Sequence, residues 1–118
     1  MNEAECIEEK LTHINQRSID EIQVLISLFL KKEKNYLIFI RLFLSCCIAI
    51  PEKIEVLCSL FRNILNSNCI QNNEYFYSIF ISQIKERIYK SREIKFAIYY
   101  LIENEMIPDN FMIDHKEI

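Results

Sequence analysis

The stretch IAIPEKIEVLCSLFRNILNSN, residues 48–68, decides the fold, because one apolar segment runs into Pro51 and a second helical pattern starts directly after it. Proline disfavours helical geometry at the residue before it, so a helix is predicted to end at Ile50. Proline also suits the first turn of a helix, where its missing N–H is not needed. Two helices that meet at such a corner predict a helical hairpin.

Further helices are predicted on both sides of this corner. Ser18 and Glu21 have the spacing of a capping box, which begins a helix that ends before the charged run 31–34. Residues 35–50 are apolar nearly all round, which is typical of a helix between other helices, and only Lys34, Arg41 and Ser45 mark a polar seam. Residues 2–13 are predicted to form a short, acidic first helix. Beyond Pro51, a fourth helix ends at the polar loop 66–73, and two more cover about 74–90 and 92–107. The residues predicted to face inward are Ile19, Ile22, Leu25, Ile26, Phe29, Ile54, Leu57, Cys58, Phe61, Ile64, Leu65, Phe76, Ile79, Phe80, Ile84, Ile88, Ile94, Ala97, Ile98, Leu101 and Ile102.

These patterns predict an all-α fold of five or six antiparallel helices. The chain has no glycine, on which sheets, tight hairpins and phosphate-binding loops depend, so Rossmann and P-loop sites are excluded. We expect one domain over residues 1–118, with a helical core at 17–107 and a polar tail at 108–118. A HEAT-like α-solenoid is the favoured architecture, and a compact bundle remains the alternative.

Composition also limits the chemistry. The five cysteines include no CxxC motif and no Cys/His ligand spacing, so free buried thiols are predicted, with no metal and no cofactor. His13 and His115 are far apart in poorly patterned termini, so we predict no catalytic residue and no enzyme activity. Residues 36–50 are apolar but too short for the roughly 20 residues that span a bilayer, and we expect no membrane partner.

Two charge features are candidates for function. Arg41 lies within an apolar helix, and we expect it to reach a neighbouring helix, to pair with Glu52 or Glu55, or to satisfy a helix C-terminus. Five cations also cluster near the end of the chain, interleaved with aromatic residues, although the net charge of the chain is −3. Such a segment can contact a partner or hold phosphates and stack bases, or it can be a solvated helix corner with aromatics packed beneath it. The cations are Lys85, Arg87, Lys90, Arg92 and Lys95, and the aromatics are Tyr89, Phe96, Tyr99 and Tyr100.

The segments KNYLIFIRLFLSCCIAIPEKIEVLCSLFRNILNSN (34–68) and EYFYSIFISQIKERIYKSREIKFAIYYL (74–101) together resemble a known family. They are similar to the first helical domain of the large subunit of the nuclear cap-binding complex, over roughly residues 19–107. The middle domain of translation initiation factor 4 gamma is a broader relative. The matching residues are Asn35, Tyr36, Arg41, Leu42, Pro51, Glu52, Lys53, Leu65, Asn66, Lys85 and Glu86.

The resemblance implies a non-catalytic, HEAT-like scaffold in the nucleus, with the cytoplasm as a second location. Its implied partners are the small cap-binding subunit and RNA-processing and export factors, and capped RNA is reached indirectly through them. The family's large subunit has three helical domains and a basic import segment, which MNEAECIEEK does not match. Two alternatives remain: a generic helical adaptor on another large assembly such as the ribosome, and a membrane-associated protein that uses residues 36–50.

Overall fold

The computed structural model describes residues 2–87 and 92–104, and this part of the chain contains six α-helices and no strand. The prediction of an all-α hairpin fold is therefore confirmed. Short 3-10 turns at Glu33–Asn35 and Pro51–Lys53 lead into the third and fourth helices. The helices are α1 (Glu3–Thr12), α2 (Ile19–Phe29), α3 (Tyr36–Ala49), α4 (Ile54–Asn66), α5 (Asn73–Arg87) and α6 (Arg92–Glu103).

Each helix packs against the helix two places further along the chain. Helix α1 packs on α3 and α3 packs on α5, while α2 packs on α4 and α4 packs on α6. This is the arrangement of helical hairpins stacked in two rows. Helix α3 also contacts α4 and α6, so the most apolar helix has neighbours on most sides. Its composition follows from that position, since a helix covered nearly all round needs few polar residues.

The corner at Pro51 forms as the sequence predicts. Ile50 has φ −131° and ψ 66°, which is outside the helical region, although its N–H still donates to the Cys46 carbonyl at 2.9 Å. Pro51 then occupies the first position of the 3-10 turn that leads into α4. The Lys53 N–H donates to the Ile50 carbonyl at 2.9 Å and closes this turn. Helix α3 therefore ends and α4 begins within a single turn of backbone.

Aromatic rings from three helices meet around Phe61 of α4. The centroid of its ring lies 4.5 Å from that of Phe43, 4.8 Å from Phe80, 5.9 Å from Phe76 and 6.1 Å from Phe39. All five rings are buried. Tilted and offset ring pairs at these distances add favourable electrostatics to the burial of apolar area. This Phe61 ring cluster joins α3, α4 and α5 in one core.

Most of the predicted inward positions are buried, with informative exceptions. Val56 and Leu60 of α4 are buried although the sequence did not single them out, because α4 packs against α2, α3 and α6 and its buried arc is wide. Ile88 and the tail 108–118 lie outside the described residues, as do the side chains of Ile94 and Ala97. The predicted inward residues that are only half-buried are Leu25, Leu65, Ile79 and Ile102.

The capping box predicted for α2 is wrong. Ser18 has helical φ and ψ and makes no side-chain hydrogen bond to the start of α2. Asn15 acts earlier, because its Oδ1 accepts the N–H groups of Arg17 at 2.9 Å and of Ser18 at 3.1 Å. Glu21 pairs with Lys10 at 3.2 Å and so links α2 to α1.

No helix among the described residues is long and apolar enough to cross a membrane. Helix α3, which covers most of the apolar stretch 36–50, has 14 residues.

Candidate functional site

A buried amide lies at the centre of a polar cluster between α3 and α5. Gln83 is only 6% exposed, and its Oε1 accepts from Arg41 Nε at 3.3 Å and from Arg87 Nη1 at 2.6 Å. Its Nε2 donates to Glu86 Oε2 at 2.7 Å. We call Arg41, Gln83, Glu86 and Arg87 the arginine–glutamine cluster. Both ends of the buried amide are satisfied, as a polar group in the interior requires.

The packing of α3 on α5 brings this cluster together. Ile38, Arg41 and Ser45 are successive exposed positions on α3, and the middle one, Arg41, reaches α5. On α5, residues three and four apart lie on one side of the helix, so Gln83 faces the same seam as Glu86 and Arg87. The cluster therefore lies where the surface seam between the two helices meets the core.

Two cations in the cluster share one neutral acceptor. Burial lowers the pKa of Arg87, the negative charge of Glu86 raises it, and the positive charge of Arg41 lowers it. The guanidinium groups thus lie close enough to repel each other, and the single carboxylate of Glu86 offsets only one of the two positive charges. Chemically, this arrangement can attract and orient an anion.

Of the three alternatives predicted for Arg41, contact with a neighbouring helix is confirmed, and pairing with a nearby carboxylate or a helix C-terminus is wrong. Its hydrogen bond is with Gln83, 42 residues along the chain, and not with Glu52, Glu55 or a helix C-terminus. Sequence reasoning missed Gln83 because an amide inside an amphipathic pattern gives no charge signal. A usable signal was its position, since it falls between Phe80 and Ile84 on the buried side of the helix.

The cations of the predicted basic segment do not all lie on one surface. Arg87 belongs to the arginine–glutamine cluster, whereas Lys85 is exposed on the outer side of α5, where it lines a shallow depression with Tyr77 and Ile81. Lys95 on α6 is half-buried. Lys90 lies outside the described residues, as does the side chain of Arg92. Of the five cations, therefore, only Arg87 is placed by the described contacts beside Arg41.

The aromatic residues of the same segment differ in their exposure to solvent. Phe96 is 58% exposed and Tyr99 is 54% exposed, and the two lie one turn apart on α6. We call them the aromatic pair. Tyr100 is half-buried, and its pKa is raised by burial and by the nearby charge of Glu55. Tyr89 lies outside the described residues. Two large rings thus face solvent instead of packing beneath the cations.

Two of the residues that carry the family resemblance connect helices. Asn35 Nδ2 donates to the Phe29 carbonyl at 2.8 Å and so satisfies the C-terminal end of α2. The buried Tyr36 hydroxyl accepts the Asn72 N–H at 3.3 Å, just before α5 begins. Asn72 in turn caps α5, because its Oδ1 accepts the Tyr75 N–H at 3.1 Å.

Other positions of the resemblance lie around the Pro51 corner or on α3, and the rest lie at the end of α4 and on α5. Lys53 Nζ donates to the Thr12 carbonyl at 3.3 Å and satisfies the C-terminal end of α1. Leu42 is half-buried and Glu52 is exposed. Together with Asn35, Tyr36 and Arg41, these contacts link α3 and the following corner to α1, α2 and α5.

The thiols and the described histidine form no recognisable metal centre. Cys46, Cys47 and Cys58 are buried free thiols as predicted, whereas the free thiols Cys6 and Cys69 are only half-buried. His13 Nδ1 lies 3.0 Å from the Glu9 carbonyl oxygen at the end of α1. Across residues 2–87 and 92–104, no three His, Cys, Asp or Glu side chains converge as metal ligands. His115 lies outside this range.

Comparison of the chain with protein families, with curated proteins and with solved structures finds no match. The resemblance to the cap-binding large subunit therefore stays a prediction. The functional conclusion depends on that resemblance and on the two surface features described above, the arginine–glutamine cluster and the aromatic pair.

Proposed function

We propose that this chain is a non-catalytic helical scaffold that binds protein partners in the nuclear metabolism of capped RNA. The observation that carries the scaffold role is the aromatic pair, Phe96 at 58% and Tyr99 at 54% exposure on adjacent turns of α6. Aromatic side chains are enriched in protein interfaces and supply much of their binding energy. A partner that covers these rings removes a large apolar area from water.

The capped-RNA assignment is supported by the resemblance of residues 34–68 and 74–101. Within that register, Asn35, Tyr36 and Lys53 bind neighbouring helices, so the matched positions are ones that specify how the hairpins stack. The proposed partners are the small cap-binding subunit and RNA-processing factors. Capped RNA is reached through them.

Affinity purification of the tagged chain from nuclear extract, followed by mass spectrometry, tests the proposal. The parent chain is expected to recover cap-complex or RNA-processing proteins. The double variant Phe96→Ser, Tyr99→Ser is expected to lose most of them, because it removes both exposed rings. The matched control is Val24→Ser, Leu28→Ser, which removes two apolar side chains on α2 that are 61% and 56% exposed.

Three outcomes bear on the assignment. If the parent chain recovers no cap-complex or RNA-processing proteins, the capped-RNA role should be dropped. If it cofractionates with ribosomes at moderate salt, the alternative of a helical adaptor on another assembly gains support. If both double variants lose the same proteins, the aromatic pair is not the interface.

A further inference from the structure

We propose that the seam between α3 and α5 carries a carboxylate-binding site, in which Arg41 and Arg87 together hold a Glu or Asp side chain from an acidic segment of a protein partner. The inference rests on the proposed scaffold function and deepens it, because it names the chemistry of a partner. The sequence marked Arg87 as a candidate partner contact, whereas Arg41 was only a matching position of the resemblance, and neither was assigned a carboxylate ligand.

The geometry leaves donors available on the outer side of the cluster. Arg41 uses Nε for its bond to Gln83, and among the described residues its two Nη groups bind no protein atom. Arg41 is exposed and Arg87 is half-buried. A guanidinium offers paired N–H groups that match a carboxylate in bidentate fashion.

The cluster is also preorganised. Gln83 is almost fully buried, and its oxygen holds Arg41 at 3.3 Å and Arg87 at 2.6 Å. Arg87 makes a second contact with the same residue, because its Nη1 donates to the backbone carbonyl of Gln83 at 3.4 Å. Side chains that are already fixed lose less entropy on binding, which favours affinity.

The charge balance favours an incoming anion. Arg41 and Arg87 contribute two positive charges, and the Glu86 carboxylate accepts its hydrogen bond from Gln83 Nε2 at 2.7 Å. Burial and the charge of Arg41 both lower the pKa of Arg87. A carboxylate between the two guanidinium groups would offset this repulsion and replace solvent with charge-assisted hydrogen bonds.

The surroundings favour an acidic protein segment over RNA. The chain has a net charge of −3, so a short acidic segment meets less overall repulsion than a long polyanion does. Tyr75 is an exposed ring on α5 whose centroid lies 5.9 Å from that of Tyr36 on α3. It comes eight residues before Gln83, which is about 12 Å along the helix axis. Tyr75 therefore offers no stacking surface beside the arginines of the kind that single-stranded RNA uses. Exposed Ile38, one turn before Arg41, suits an apolar side chain of a peptide instead.

Fluorescence polarisation with the full chain tests the site, using a fluorescein-labelled peptide of repeated Glu-Glu-Leu. We expect saturable binding that weakens with added salt, because exposed charges are screened beyond roughly 10 Å. Arg41→Gln and Arg87→Gln should each lower affinity about tenfold or more, since each removes a charged hydrogen-bonding partner. Lys32→Gln is the matched control, because it removes one exposed positive charge away from the seam.

Arg41→Lys keeps the charge but removes the planar fork, and we expect it to bind more weakly than the parent chain. Circular dichroism melts identify any variant that has lost its fold, and Arg41→Lys then stands in for Arg41→Gln. The proposal is overturned if the parent chain does not bind the peptide, or if the arginine variants bind it as well as Lys32→Gln does. It is also overturned if oligouridine RNA, and not the peptide, shows the arginine dependence. Loss of this site with continued capture of RNA-processing proteins would leave the scaffold function standing.

Discussion

Gln83, Cys47 and Cys58 show two ways in which the helical interior accommodates groups that are not simple hydrocarbons. The amide of Gln83 is buried with both its oxygen and its nitrogen hydrogen-bonded, and its oxygen connects α5 to α3. The thiols are kept neutral, because burial raises the pKa of Cys58 to about 12 and that of Cys47 well above its usual value. A thiol held in this way acts as a small apolar side chain and is a poor nucleophile.

The buried thiols predict a loss of stability at alkaline pH. An unfolded cysteine gives up its proton near its ordinary pKa of 9.0, whereas folded Cys58 holds its proton until about pH 12. The folded state therefore binds more protons than the unfolded state in this window. The buried thiol is expected to contribute to the free energy of unfolding in full below pH 9, and this contribution should be lost as pH rises towards 12. Urea denaturation at several pH values measures the change.

Cys58→Ala is the control for this titration, because lysines and tyrosines also ionise at alkaline pH. The decline above pH 9 should be less steep in the variant than in the parent chain. Equal slopes would contradict the assignment of the decline to this thiol.

Between helices, a few polar contacts set how each pair meets. Asn35 satisfies the end of α2, Lys53 satisfies the end of α1, and Tyr36 reaches the backbone just before α5. Each of these contacts uses a backbone group at or beside a helix terminus, where helices leave such groups without internal partners. Some backbone groups at the helix ends are thus hydrogen-bonded by side chains of neighbouring elements and do not depend on solvent.

Tyr36→Phe is expected to lower the free energy of unfolding by about 1 kcal/mol, because the Asn72 N–H loses its acceptor while the ring remains packed. Tyr75→Phe is the matched control, since it removes a hydroxyl from an exposed ring. Urea denaturation of both variants gives the comparison. Equal losses would mean that the bond from Asn72 contributes nothing measurable.

Across the whole molecule, the Phe61 ring cluster holds three helices together. Phe61→Ala is expected to cost about 3–5 kcal/mol, because it removes a fully buried ring and leaves a cavity among four others. Phe96→Ala, at an exposed position, should cost less than about 0.5 kcal/mol. Thermal and urea melts followed by circular dichroism check both values, and a small loss for Phe61→Ala would show that the core repacks around the gap.

The sequence predicted the helices and the Pro51 corner well, because periodicity and proline geometry are local properties. It failed where a partner lies far along the chain: a neighbouring helix was among the alternatives for Arg41, but the sequence did not identify Gln83, which packing of α3 on α5 brings to it. It also misplaced the cap of α2, because a capping-box spacing at Ser18 cannot show that Asn15 already supplies the acceptor. The width of the buried arc on α4, which includes Val56, depends on how many helices surround it.

The central position of α3 has a consequence for synthesis of the chain. Its apolar side chains are translated before α5, the helix that covers part of them, and 38 residues separate Ala49 from Arg87. At translation rates of about 5–20 residues per second, that interval is roughly 2 to 8 seconds. Segment 36–49 therefore leaves the ribosome ahead of α5 by about that interval, with its rings still uncovered by α5, so it is the part of the chain on which a ribosome-associated chaperone would act.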